Sequence, residues 1–407
     1  MRTIPVTKPY FTNEEMELIQ IALTSGWVAQ GPRVSEFERE VANHEGIAEG
    51  VATTSCTTAL YLAMIAQGLR GGMDAIAPAF TFVATENSIA ATGATPVMVD
   101  VDQSTFNIDV DKLEEIIETQ YEKNGDKLVN KETGNILWGI VPVHEFGLCC
   151  DIYRINTLAK EYNLQIIEDA ACALGAKIGE QHQGGFGNTS CISFHPRKSI
   201  TTGEGGMVLT NNQALAKRLR ELRSHGATLS ADERDKGQGF LLPEHNELGY
   251  NYRMTDIQGA MGLAQIKKLD YIIDEKRCKA AIYNQLIEEK LPEFIIPQEP
   301  AGYFHTYQSY VCMLDMNRLS LGSVKEGGVY RNHLLKSLED IGIATRQGTH
   351  AVHMLGYYRE RFGYRPEDYM GAYSCDHLSI TLPLYIGMSD DDQEYVVGQI
   401  RKIMDKM

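Results

Sequence analysis

A lysine follows directly on a strand-like apolar run in SFHPRKSITTGEGG (193–206), with a glycine-rich turn immediately after it. A primary amine at that place, Lys198, can form a Schiff base with an aldehyde once it is deprotonated, which partial burial favours. Taken alone it reads rather as a solvated surface lysine beside a glycine turn. An acid pair, Glu168 and Asp169, ends the run IIED (166–169). A carboxylate there can keep a pyridine nitrogen protonated, making the ring an electron sink, or it can simply cap a helix. Ser55, Cys56 and Thr57 stand where a strand turns into a helix. Free amides at a helix start bind phosphate, although capping by itself also accounts for the hydroxyls.

The order of the three elements says more than any one of them. Phosphate cradle, acid, then lysine is the chain order of pyridoxal-phosphate enzymes of fold type I. No dinucleotide GxGxxG follows the first strand and no GxxxxGK[ST] occurs. His195 and Cys191 are isolated, without HExxH or zinc-type spacing, so no metal is expected and both read as core or local hydrogen-bond residues.

These groups need a scaffold. The runs 50–54, 74–78, 95–100, 137–143, 164–169, 190–194 and 206–210 are short and apolar on both faces, as strands are in a sheet covered by helices on both sides. Helical patterns at 57–67, 111–120 and 152–163 separate them. That alternation predicts an α/β fold with a mostly parallel seven-stranded sheet. The last two runs are too close together for a crossover helix, so that part is mixed. After residue 255 the pattern changes to one long or two consecutive helices (255–289), a strand (306–314) and a helix (331–342) that ends at a glycine. The expected division is a large cofactor domain, 1–255, whose first residues pack on the other unit, and a smaller α+β domain, 256–407. Residues 228–246 read as a surface loop.

Composition sets the outer limits. The 407 residues are 43% hydrophobic and 23% charged, with net charge −16. That charge argues against a nucleic-acid partner, and an anionic substrate must be captured by local cations against the overall field. No apolar run is long enough for a membrane span, and no export signal is visible, so a cytoplasmic enzyme is the expectation. The eight cysteines form no CxxC pair and read as reduced thiols.

TSGWVAQGPRVSEFEREVA (24–42), PAFTFVATENSI (78–89), VPVHEFG (141–147), IIEDAACALGA (166–176), SFHPRKSITTGEGGMV (193–208) and GYNYRMTDIQGAMGLAQ (249–265) resemble the DegT/StrS sugar-nucleotide aminotransferases. The resemblance implies Lys198 as imine lysine and proton shuttle, with pyridoxamine phosphate as the intermediate cofactor form. It implies Asp169 as partner of the pyridine nitrogen and Phe82 stacked on the ring. Cys56, Thr57 and Ser193 are implied at the phosphate, with Asn251 reaching the phosphate of a neighbouring subunit, hence a homodimer with shared sites. Glu168 is implied to be structural. Two positions depart from the commoner pattern: Cys56 replaces a glycine of the phosphate turn, and Cys172 stands where Gln or His contacts the ring hydroxyl.

For substrates, the same resemblance places Arg223, His225, Arg253, His305, Tyr307, Arg346 and His353 in cleft-lining segments. Arginine suits a carboxylate or diphosphate because its fork is bidentate, while a surface ion pair is the competing reading for each. The implied reaction takes an amino group from L-glutamate to a nucleotide-linked keto-sugar, with VPVHEFG and GYNYRM pointing to carbon 4 of a 4-keto-6-deoxy sugar, as in perosamine-type members. A cyclitol or other non-nucleotide ketone, and a cofactor-binding regulator without turnover, are the alternatives. A dehydratase of the same family would carry His at position 198.

Overall fold

The structure, a computed structural model, describes residues 2–228 and 242–407. All seven anticipated strands form: β1 (Glu49–Thr53), β2 (Met73–Pro78), β3 (Thr95–Val99), β4 (Ile136–Ile140), β5 (Gln165–Asp169), β6 (Thr189–Ser193) and β7 (Gly206–Thr210). They lie in the order β1-β7-β6-β5-β4-β2-β3. β6, β5, β4, β2 and β3 pair in parallel, whereas β7 runs antiparallel to both β6 and β1. The segment between β6 and β7 is too short for the helical crossover that a parallel partner requires. β6 and β7 are buried along their whole length, which is why their sequence shows no polar alternation.

The sheet has nine strands rather than seven. The extra two, Tyr121–Asn124 and Lys127–Asn130, form a hairpin that joins β4 at one edge. Its signal was in the sequence: Gly125 and Asp126 form the two-residue turn, and Gly125 takes φ 65°.

Helices α1 (Asn13–Ser25), α2 (Pro32–His44), α3 (Cys56–Ala66), α4 (Ala84–Ala91), α5 (Val110–Gln120), α6 (Ile152–Tyr162) and α7 (Gln213–Leu222) accompany the sheet. The predicted helix pair is two elements, α8 (Asp256–Ile266) and α9 (Leu269–Lys290). Beyond them, β8 (Tyr310–Leu314) and β9 (Ser379–Leu382) form a small antiparallel sheet with Phe294–Ile295. Helices α10 (Val324–Asp340) and α11 (Asp390–Met404) share its core. α10 starts earlier than the pattern suggests because Ser323 caps it, accepting from the Glu326 amide at 3.2 Å.

The cores change hands later than residue 255. Leu263, Ile266, Leu269, Ile272 and Ile273 pack with Phe37 and Phe194 of the sheet unit. Ala280, Tyr283, Leu286 and Ile287 pack with β8 and β9. One continuous helix, α9, therefore serves both cores, and the shift of pattern at 255 marks only the start of α8. The chain's first residues do pack on the C-terminal unit: the Ile4 amide donates to the Gly342 carbonyl at 2.8 Å, and the Leu384 amide to the Val6 carbonyl at 3.0 Å. Residues 229–241 of the expected surface loop lie outside the described residues. Among those described, no helix is long and apolar enough to cross a membrane.

Candidate active site

β1, β2, β5 and β6 all end at the same edge of the sheet, so the residues just past them converge. A cavity of about 540 Å³ opens there, lined by Ser55, Cys56, Thr57, Phe82, Asp169, Cys172, Ser193 and Lys198. Open α/β sheets place their sites at this edge.

The phosphate turn is set by a capping box. Ser55 Oγ accepts from the Thr58 amide at 3.2 Å, and the Thr58 hydroxyl accepts from the Ser55 amide at 3.1 Å. The amides of Cys56 and Thr57, in the first turn of α3, are left without a helical acceptor. Gly206 crosses this turn so closely that a Cβ would run into the backbone of Ser55 and Cys56, so the last glycine of GEGG is required there. Phe82 is 63% exposed, its ring bordering the cavity rather than the core.

Asp169 is buried, and both of its oxygens are engaged. Oδ2 accepts from the Thr85 hydroxyl at 2.7 Å, and Oδ1 from the Ala171 amide at 3.1 Å. Burial raises its pKa, partly offset by those bonds and by Lys198. Lys198 Nζ donates to Cys172 Sγ at 3.0 Å. Burial of the amine favours its neutral form, but Cys172, Cys56 and Asp169 outweigh it, and the lysine is shifted upward. Burial acts in the expected direction and is opposed by these three neighbours. The Cys172 thiol is itself pushed up by burial.

Another acid that sequence reasoning passed over lines the cavity. Glu145 is 3% exposed, and its Oε1 is buried without a hydrogen-bond partner. Its backbone amide is held by Asn107 Oδ1 at 2.8 Å, and the next residue, Phe146, sits in the left-handed region at φ 55°. Burial pushes the carboxyl up to about 8, against the opposing pull of the Thr81 hydroxyl and the Lys198 cation. Near it, Glu86 is wholly buried with neither oxygen partnered. A side chain of this type inside a strand-end HEFG turn was the available signal. Glu168, by contrast, is structural as expected: it bonds His144 at 2.8 Å, Asn188 at 2.9 Å and the Gly184 amide at 2.8 Å.

Of the expected substrate residues, only Arg346 reaches the cavity. Its Nε is buried without a partner, and the neighbouring charge of Arg197 disfavours a second cation there. Arg223 is buried in an ion pair with Glu38 and donates to the Ala52 carbonyl at 2.6 Å, so it ties α7 to α2 and β1 instead. His225 takes φ 62° in a turn held to Tyr250, and Arg253 donates to Ser224 Oγ at 3.2 Å. His305 is buried, stacked on Tyr307 at 4.0 Å, and burial depresses it to about 3. His353 is buried against Tyr369. Asn251 is exposed and pairs with Ser224 away from the cavity. In their place His195, Arg197, Gln308, Gln347 and His350 line it. His195 lines the wall, and its Nδ1 accepts from the Arg197 amide at 3.2 Å, so of the two readings, core or local hydrogen-bond residue, the structure has the second. Elsewhere His44, Glu45 and His182 converge: His44 bonds Glu45 at 2.8 Å, and His182 Nδ1 lies 3.4 Å from the same carboxylate.

The sheet order, the lysine beyond β6 and the acid ending β5 are those of a fold type I aminotransferase dependent on pyridoxal phosphate. The chain belongs to the DegT/DnrJ/EryC1/StrS aminotransferase family, whose model matches residues 9–401. It is 34% identical to the spore coat polysaccharide biosynthesis protein SpsC of Bacillus subtilis, covering 98% of this chain and 97% of that one. It is 33% identical to GDP-perosamine synthase of Escherichia coli O157:H7, covering 99% of each. Among solved structures, the aminotransferase TlmJ from Streptoalloteichus hindustanus superposes with TM-score 0.84 at 26% identity over all of both chains. DesI, in the presence of its TDP-sugar product, superposes with TM-score 0.83 at 26% identity, covering 99% of this chain and 93% of that one. The residues present suit the cofactor: free helix amides for a phosphate, a buried carboxyl for the ring nitrogen, an amine for the aldehyde and an open aromatic face between them.

Proposed function

We propose that this chain aminates the ketone of a nucleotide-linked keto-deoxysugar, favouring a 4-keto-6-deoxy sugar, with L-glutamate as amino donor. The carrying observation is the single cavity that brings Lys198, Asp169 and the α3 amides together beside Arg197 and Arg346. The sugar chemistry named for GDP-perosamine synthase and DesI supports the acceptor.

In this reading Cys56, Thr57 and Ser193 hold the phosphate of pyridoxal phosphate, Phe82 stacks on its ring and Cys172 borders the ring hydroxyl. When bound, the cofactor supplies an electron sink for the carbon whose proton is removed. Asp169 keeps the ring nitrogen protonated, its own position fixed by Thr85. Lys198 would hold the aldehyde through its Nζ and, as a free amine, would serve as acid and base for the transferred proton. Arg346 and Arg197 take up the anionic groups that a −16 protein must capture locally. The enzyme acts as a cytoplasmic homodimer, with Asn251 completing the partner's phosphate site.

A panel of nucleotide-linked keto-sugars supplied with glutamate tests this by mass spectrometry of the amino-sugar and assay of 2-oxoglutarate. Amination of a cyclitol ketone with no nucleotide sugar accepted would overturn the acceptor.

A further inference from the structure

Away from the cavity, three side chains able to ligate a metal meet although no short spacing in the sequence joins them. His44 is the last residue of α2, and Glu45 follows as its cap. His182 comes from a separate hairpin, in which Gln181–His182 pairs with Lys177–Ile178. One ligand atom from each residue lies within 4.8 Å of the other two. Glu45 is the centre of the group. Its side chain is completely buried, with Oε1 2.8 Å from His44 Nδ1 and Oε2 3.4 Å from His182 Nδ1. A carboxylate buried to that degree requires an opposite charge or a metal beside it.

Two buried polar atoms at this place are left over among the described residues. His182 Nδ1, despite its nearness to Oε2, makes no hydrogen bond. Gln183 is wholly buried and donates through Nε2 to Glu45 Oε2 at 2.8 Å, yet its own Oε1 has no partner. An orphaned imidazole nitrogen costs free energy, and an ion beside it removes that cost.

The outer contacts are those that orient metal ligands. The other nitrogen of His44, Nε2, lies 2.9 Å from Asp270 Oδ1 on α9. A carboxylate behind a ligating histidine fixes the ring and raises its basicity. Glu45 Oε2 is steadied by Gln183 and, at 3.4 Å, by the Gly175 amide. The two imidazole planes meet at 83° with centroids 5.5 Å apart, so the rings do not stack on each other. With metal–ligand bonds near 2.0–2.2 Å, the edges of a tetrahedral zinc site are about 3.3–3.5 Å long. The His182–Glu45 separation already has that length. The His44–Glu45 contact has to open by about half an ångström.

We propose that His44, Glu45 and His182 bind one zinc ion, with water in the fourth position, which clamps the end of α2 to the hairpin at 177–182. Two imidazoles and one carboxylate suit zinc, whereas magnesium and calcium take oxygen ligands. The overall charge of −16 favours capture of a dication. Binding displaces the protons that otherwise link the rings to the carboxylate and releases them to solvent. None of the three residues lines the cavity that holds Lys198, so the ion is structural, and the proposal stands apart from the amination reaction.

The competing arrangement is a cluster joined by protons alone, and zinc binding separates the two. Holoenzyme stripped with a chelator and desalted is titrated with zinc chloride, with bound zinc counted by elemental mass spectrometry and the unfolding midpoint recorded. One equivalent per chain is expected, with the midpoint raised by about 2 °C or more at a hundredfold excess over Kd. Magnesium chloride should change neither. His182→Gln and His44→Gln should each lose both the equivalent and the shift, and either one suffices should the other fail to fold. Asp270→Asn should keep the equivalent but bind it about tenfold or more weakly. Cys278 is an exposed thiol, and Cys278→Ser should bind zinc as the wild type does. Failure of the wild type to retain zinc, or an equivalent that survives in a folded histidine variant, overturns the proposal, as does its loss in Cys278→Ser.

Discussion

Lys198 Nζ lies 3.0 Å from Cys172 Sγ and donates a hydrogen bond to it. The sulfur is a weak acceptor, so it orients the amine without committing it. Cys172→Ala should therefore still load pyridoxal phosphate and retain turnover within about tenfold of wild type, a modest cost of one weak hydrogen bond. Lys198→Ala should fold, as far-ultraviolet circular dichroism would confirm, but give no linkage that borohydride can trap and lose at least roughly 10³-fold in activity. Normal turnover in that variant would remove the lysine from the mechanism.

Thr85 fixes Asp169 through a 2.7 Å hydrogen bond deep in the cavity. Thr85→Val keeps the shape and removes the donor, leaving a buried carboxyl less well paired. A loss of about 1–3 kcal/mol in cofactor binding or stability is expected. Asp169→Asn should go further, lowering kcat by roughly 10²-fold or more, since a neutral amide cannot stabilise a protonated ring nitrogen. Equal activity of Asp169→Asn and wild type would show that the acid only caps the strand end.

Glu145 also predicts a pH dependence of stability, with a definite sign. Its folded pKa, near 8, is raised above the ordinary carboxyl value of 4.5. The unfolded chain therefore releases this proton first, and folding loses stability as pH climbs from about 4.5 to 8, after which the effect is constant. Glu145→Gln cannot ionise, so its stability relative to wild type should rise across that window by up to roughly 3–5 kcal/mol, at about 1.4 kcal/mol per pK unit. Urea unfolding of both proteins at pH 5 and pH 8.5 measures the difference. A constant offset at the two pH values would mean that Glu145 titrates like an exposed acid.

The two arginines distinguish scaffold from site. Arg223 is buried against Glu38, and removing one partner of a buried pair strands the other. Arg223→Ala should cost about 3–5 kcal/mol of stability whatever the substrate. Arg346, on the cavity wall with Nε unpartnered, should behave oppositely. Arg346→Gln should leave the unfolding midpoint nearly unchanged and raise KM for an anionic substrate at least roughly tenfold.

This contrast also shows where the sequence was legible. The strands, α3 and the order of cradle, acid and lysine could be read because each is set by local pattern: apolar runs, a capping box and a glycine turn. Even the antiparallel β7 followed from the short connection before it. The substrate arginines and histidines could not be sorted, since whether Arg223 meets Glu38 or a ligand depends on contacts between residues 185 positions apart. The sharing of α9 between two cores could not be read, because no local pattern marks where along that helix the packing changes. Glu145 was passed over for the same reason: only burial distinguishes an orphaned acid from a solvated one.

Asn251 lies outside the cavity of its own chain, exposed and paired with Ser224. If it serves the phosphate of a partner subunit, the two roles can be separated by mixing inactive variants. Lys198→Ala disables the site on its own chain, whereas Asn251→Asp sets a negative charge against the phosphate of the other chain's site. A mixed dimer then has one site with both defects and one with neither. Random reassortment makes half of the dimers mixed, and roughly a quarter of wild-type activity should return from two inactive parents. Were Asn251 to act within its own chain, every site in the mixed dimer would carry one defect, and no activity would reappear.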